Sequence, residues 1–458
     1  MNTTWLKAGI GSLVLSGGLV VAAGPAEAAP ANGLAATYFD NADLTGSQVS
    51  RVDPTVNFEW YGGSPAAGIG ADTFSTRWTG QLEVPTAGTY TFTAATDDGS
   101  RLWIDDTKVI DAWTDHSLRD DSGQITLTAG AHRIKFEYYE NGWDAIAKLS
   151  WAGPGIPRQI IPTGKLTVPQ DPISATTGLF VDPNSHAAAW ARNNPNDPRA
   201  ARIKSEIADR PTAAWFGDWS GDVRAAVSGY LNSAATKLAT VVAYNIPNRD
   251  CNGSGGSGSA AAYRTWISEF AAGIGSKPAI VIIEPDAVPL MNCDPSANQT
   301  RRDLLRYATE QLRDKAPNAW AYLDGGSPDW VNPDEIAQRL DGAGVRNVRG
   351  FSVNVSSFHS LAKVNTYLGS VNASLANRYG YRRQTVIDTS RNGNGATGAW
   401  CNPAGVKLGT PPQQATGEVD LMLWVKMPGD SDRECGIAPT LPAGTFSPDL
   451  ATRLIEGW

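Results

Sequence analysis

The chain has 458 residues, with 38 Lys or Arg against 46 Asp or Glu and a formal net charge of −8. Its length suits about three average domains, and its mild acidity argues against nucleic acid or an anionic membrane as partner, since either would favour a basic patch. Hydrophobic residues make up 41% and charged residues 18%, and the 16 Trp are a heavy aromatic load whose flat apolar faces suit stacking as well as core packing.

At the N-terminus, Lys7 precedes the apolar run 8–23 and then Ala26-Glu27-Ala28, a small-residue cleavage site. This is the pattern of a secretory signal peptide over residues 1–28; a spanning helix would need about 20 apolar residues and a stop-transfer flank. A secreted, extracellular protein with no membrane anchor is expected. Four cysteines fit such an oxidising compartment. Cys251 and Cys293 lie 42 apart, and Cys401 and Cys435 lie 34 apart. No CxxC pair suggests zinc or thiol redox chemistry, and three disulfide connectivities remain open.

Residues 33–162 read as an all-β sandwich. Short runs such as Leu102-Trp103-Ile104 and His132 to Tyr139 alternate apolar and polar side chains, and Asp97-Asp98-Gly99 and Asn141-Gly142 supply turns. The pieces GLAATYFDNADLTGS, FSTRWTGQLEVPTAGTYTFTAATDDGSRLWID and GAHRIKFEYYENGWDAIAKLSW resemble the protective-antigen-14-type domain, a β-sandwich of secreted glycosidases, toxins and adhesins. The resemblance implies a calcium and sugar site at Asp97 and Asp98, whose adjacent carboxylates supply hard oxygen ligands. The plainer alternative is a tight turn.

Residues 163–177 are rich in Pro and Thr and predict a short linker. From 178 to 458 the texture changes. Short apolar runs recur at 213–216, 239–246, 279–283, 320–323, 350–355, 385–387 and 421–425, with helical patterns between them at 260–274, 300–315 and 334–340. Seven buried-strand candidates alternating with helices predict parallel βα units closing into a seven-stranded α/β barrel.

Acidic residues follow these strands: Asp250 in VVAYNIPNRDC, Asp286 in AIVIIEPD, Asp324 in AWAYLDGG and Asp432 in LWVKMPGDSDREC. One such Asp can be a helix N-cap. Four from four strands converge on the face where parallel barrels carry their active sites. None of the four His follows a strand beside a Ser or Cys, and the chain has no P-loop, Rossmann fingerprint or HExxH. Clustered carboxylates, many Trp and no cofactor motif point to glycoside hydrolysis.

The pieces LFVDPNSHAAAWA, VVAYNIPNRDC, IVIIEPDAVP, AYLDGG, FSVNVSSF, VIDTSRNGNG, WCNPAGVKLG and LWVKMPGDSD run in the order of glycoside hydrolase family 6, which residues 178–458 resemble. This resemblance implies a distorted parallel barrel and an inverting cellulase acting on β-1,4-glucan, with no required cofactor. It implies that Asp286 is the general acid and that Asp250 keeps that acid protonated and orders the water. Asp432 takes the position proposed as base, a role a water chain can fill instead. Tyr244 is implied beneath the reactive sugar and Lys426 as a sugar ligand. Asp324, Asn354 and Asp430 are implied lining residues, and Trp400, Trp330 and Trp190 platforms. Ser254 or Ser257 corresponds to a water-holding serine on a lid. The implied disulfides are Cys251–Cys293 and Cys401–Cys435.

Three residues depart from the family pattern. Asp430 stands where Glu is common, Arg433 follows Asp432 and is expected to pair with it, and Ser327 replaces a common His. Only a short segment between Cys401 and Cys435 remains to roof a cleft, so an endo-acting enzyme is expected; a monomer is expected as well. A cellobiohydrolase or a non-catalytic glucan-binding protein is the alternative.

Overall fold

The computed structural model describes residues 32–458 except residues 46, 106, 251–254 and 294 and the side chains of 292, 293 and 295. Residues 1–28 and Cys251 thus lie outside the described residues. The N-terminal domain is a β-sandwich. In one antiparallel sheet Gln48–Asp53, Leu34–Phe39, Phe74–Val84, Gly130–Glu140, Ser100–Ile104 and Thr107–Ala112 lie side by side. In the other, Ile156–Ile160, Ala145–Gly153, Gly88–Asp97 and Arg119–Leu127 do so. Alternation decides the faces: Ile134, Phe136 and Tyr138 point inward from one strand and pack with Trp78, Phe92 and Trp151 in a common core. The expected linker begins later than residue 163. Thr163–Lys165 forms a 3-10 turn, and Leu166–Thr167 pairs with Leu82 and Gln81, because Leu166 completes the sandwich core.

The second domain carries seven parallel strands: β1 (Ala214–Phe216), β2 (Ala239–Ala243), β3 (Ala279–Ile283), β4 (Ala319–Asp324), β5 (Gly350–Val353), β6 (Gln384–Asp388) and β7 (Val419–Leu423). They pair in chain order, and Gln413–Gln414 adds an antiparallel edge to β7. The sheet curls without a full ladder between β1 and β7. Ala213 N donates to Trp424 O at 3.1 Å just before β1, and the Trp215 side chain of β1 donates through Nε1 to Val425 O at 2.8 Å just past β7. The result is a distorted barrel. Side chains alternate across it: Val242, Ile280, Ile282 and Val386 fill the inside, while Val241, Val281 and Ile283 face the helices.

Helices Ala260–Ile274, Asn298–Lys315 and Pro333–Gly342 agree with the sequence pattern to within two residues at each end. Ser259 caps the first by accepting Ala262 N, relieving one orphan donor of its opening turn. Among the described residues, no helix is long and apolar enough to cross a membrane.

Candidate active site

Every proposed acidic residue leaves the same end of the barrel. Asp324 is the last residue of β4, Asp286 lies three residues beyond β3, and Asp250 and Asp432 sit on the loops after β2 and β7. Asp286 N donates to Asp324 Oδ2 at 2.8 Å, and Ser352 Oγ to Asp324 Oδ1 at 3.2 Å. Asp286 adopts a left-handed backbone, φ 72°, a conformation uncommon for a non-glycine residue and frequent at functional turns. Burial, then the charges of Asp250 and Asp432, push the Asp286 carboxyl up to about 6. Burial and the Asp286 charge push Asp324 up to about 7. A carboxyl so placed can hold a proton in mildly acidic water and deliver it to an ether oxygen.

Asp432 is different. Its side chain is only 8% exposed, but Arg391 Nη1 reaches its two oxygens at 2.9 and 3.0 Å, Lys426 Nζ one of them at 3.4 Å, and Asn402 N donates at 3.0 Å. Burial alone would raise this carboxyl, but Arg391 and Lys426 outweigh it and hold it below the usual range. The pairing expected of Arg433 is made by Arg391 instead. The guanidinium of Arg433 stands over the Trp400 ring, 5.8 Å from its centroid. Asp430 is buried and accepts His186 Nδ1 at 2.8 Å, so the short carboxylate is tied to an imidazole from the first turn of helix His186–Asn193.

The other expected residues divide. Tyr244 Oη lies 3.5 Å from Asp250 Oδ1, and Asp250 is exposed. Trp400 is 67% and Trp330 42% exposed, as open platforms need to be. Trp190 packs against Phe446 under the C-terminal helix. Asn354 is fully buried, with Nδ2 donating to Asp388 O and Oδ1 accepting His359 N. Ser257 is buried and donates its N–H to Asn245 O at 2.8 Å, while Ser254 lies outside the described residues. Cys401 and Cys435 form a disulfide with Cα atoms 6.0 Å apart, bracing Trp400 and Asn402. The Cys251–Cys293 pairing lies outside the described residues.

Several residues had no role in the sequence reading. Glu284, inside the same EPD triplet as Asp286, accepts Asn245 N and Ile246 N and so holds the chain just past Tyr244. Asp388 accepts Ser356 N, Ser390 N and Lys426 N, joining the ends of β5, β6 and β7. Both close strand ends with a carboxylate, the signal already used for the other four. Trp215 stands edge-on to Tyr244 at 5.1 Å. Arg391 had no legible signal, because 41 residues separate it from Asp432.

Residues 174–457 match the model of glycosyl hydrolases family 6, and residues 30–165 that of the PA14 domain. The chain belongs to glycosyl hydrolases family 6. It is 45% identical over 294 residues to Endoglucanase 1 of Streptomyces halstedii, covering 63% of this chain and 91% of that protein. It is 41% identical over 287 residues to Endoglucanase A of Thermobispora bispora, covering 60% of this chain and 61% of that one. Among solved structures, the endoglucanase Cel6 of Mycobacterium tuberculosis, in complex with methyl-cellobiosyl-4-deoxy-4-thio-β-D-cellobioside, superposes with a TM-score of 0.57 at 37% identity. That match covers 63% of this chain and 99% of the other. The family thus spans the barrel and its carboxylate end, with the sandwich as a separate module.

Proposed function

We propose that this family 6 hydrolase is a secreted, monomeric cellulase that cuts β-1,4-glucan internally with inversion. The observation that carries the chemistry is Asp286, a carboxyl pushed up to about 6 beside two like-charged carboxylates. In this reading the Asp286 proton goes to the glycosidic oxygen, the C1–O bond breaks, and water adds to C1 from the opposite face. Asp432, locked by Arg391 and Lys426 below the usual carboxylate range, is a poor proton acceptor. The attacking water therefore passes its proton through further water towards the exposed Asp250. Proton NMR of early products should show the α-anomer first; β-product appearing first refutes inversion. Endo action is supported by the short segment between Cys401 and Cys435 and by the names of the two relatives above, Endoglucanase 1 and Endoglucanase A. It predicts fast loss of carboxymethylcellulose viscosity relative to reducing ends, whereas nearly pure cellobiose with little viscosity change would mark a cellobiohydrolase.

The proposal extends to calcium in the sandwich. Asp97, Asp98 and Glu140 bring carboxylate oxygens within 4.8 Å of one another. Burial and the Asp98 charge push Glu140 up to about 8. His116 N and Asn141 N donate to Asp98 at 2.8 and 3.0 Å, and Leu118 N to Asp97 at 3.0 Å. These bonds orient the carboxylates as hard oxygen ligands, which fits calcium. A rise in the sandwich melting temperature with calcium, reversed by EDTA, is expected; no shift at millimolar calcium overturns it.

A further inference from the structure

Beyond Tyr244 a row of rings and one cation runs outward from the barrel. Trp215 stands edge-on to Tyr244 with centroids 5.1 Å apart. The Arg249 guanidinium lies over Tyr244 at 4.6 Å and over Trp219 at 5.3 Å. Arg249 is itself fixed, since Nη1 donates to Tyr244 O and to Asp218 Oδ1, both at 3.1 Å. Trp219 ends the row and is 57% exposed. Its benzo ring lies against Gly217, where a Cβ would come within 2.4 Å of Cζ3 and 2.5 Å of Cη2.

We propose that Trp219 is a sugar platform, binding a glucosyl unit of the chain beyond the one over Tyr244. An apolar ring left open to water costs free energy unless a ligand covers it, and this one is held ready. Gly217 leaves room for the edge of the benzo ring, and Arg249, held by Asp218, stands off at 5.3 Å from the ring centroid, so the ring is placed with little ordering entropy left to be lost on binding. The row begins at Tyr244, whose hydroxyl neighbours Asp250, so a chain on the reacting centre runs on to Trp219. The ring's CH–π surface selects a pyranose face rather than a charged group. Because Trp219 stands on the short 3-10 turn Asp218–Ser220 after β1, outside the barrel core, its removal leaves the fold intact.

This inference rests on the glucanase reading, and its test separates the two. Kinetics on cellotriose through cellohexaose are compared for wild type, Trp219→Ala and Gly217→Ala, with melting temperatures as a folding control. Trp219→Ala should raise KM for the longer oligosaccharides roughly tenfold, as loss of a buried Trp contact typically does, with kcat unchanged and cellotriose unaffected. Gly217→Ala, which displaces the ring, should raise KM in the same length-dependent way. Calorimetric titration of Asp286→Asn with cellohexaose, with and without Trp219→Ala, should show the same loss in affinity. An unchanged KM at every length overturns the platform. So does an equal fall in kcat at all lengths with a shifted pH profile, which would make Trp219 a positioning residue acting through Arg249 on Asp250. If wild type cleaves none of these substrates, the glucanase reading fails instead; the titration still tests the platform by itself.

Discussion

Asp286 and Asp324, at the ends of β3 and β4, lie among other carboxylates, and among the described residues no cation is in hydrogen-bond contact with them. Asp432, beyond β7, has only 8% of its side chain exposed, but two cations touch it. The first pair is pushed up to about 6 and 7, and the third is held below its ordinary range. Burial raises all three, so the sign of the net shift is decided by the charges that other elements bring alongside. In the proposed mechanism one end of the cleft is thereby suited to donate a proton and the other to keep a fixed negative charge.

The contrast can be broken in four ways. The largest effect is expected from Asp286→Asn, which removes the proposed proton donor; kcat on a soluble oligosaccharide should fall by about 10²–10⁴ with the melting temperature retained. Survival of more than a tenth of the activity would sink the assignment. Next is Arg391→Leu, which leaves Asp432 buried and short of its main partner. A loss of about 3–5 kcal/mol, typical of a broken buried pair, should appear in denaturant unfolding near neutral pH and shrink on acidification. The direction follows from linkage. A carboxylate with a depressed folded pKa contributes stability above its unfolded value of about 3.9, lost as pH falls through the folded value.

Replacing Cys401 and Cys435 by Ser together should cost about 3–4 kcal/mol on the chain-entropy account. It should also weaken substrate binding at Trp400, while the melting of the sandwich stays put. The smallest effect sharpens the comparison most. Activity should fall as pH rises through about 6, because Asp286 loses its proton there. Asp250→Asn removes a like charge that raises that value, so the falling limb of kcat/KM should move to lower pH. A limb that stays in place would show that the Asp250 charge does not contribute, leaving burial and Asp432 to set the Asp286 pKa.

Much of this was legible in the chain. Period-two alternation in residues 132–139 and the apolar runs from 213 onward predict a sandwich and a parallel barrel, because a strand's side-chain period and a buried strand's composition are local properties. An Asp after a strand likewise marks the carboxyl end of the barrel. The limits of the linker were not legible, since Leu166 joins the sandwich only by filling a gap in its core. Nor was the partner of Asp432, where the neighbouring Arg433 looked the obvious choice.

Local pattern and strand order thus determined which carboxylates meet at one end of the barrel. Tertiary structure decided what each of them is there. Arg391 arrives at Asp432 from across 41 residues and His186 at Asp430 from across 244, and Trp219 gains its floor from the bend at Gly217. Charge interactions and ring contacts depend on distances of a few ångströms between elements far apart in sequence. No window of the sequence contains those distances, and only the folded chain sets them.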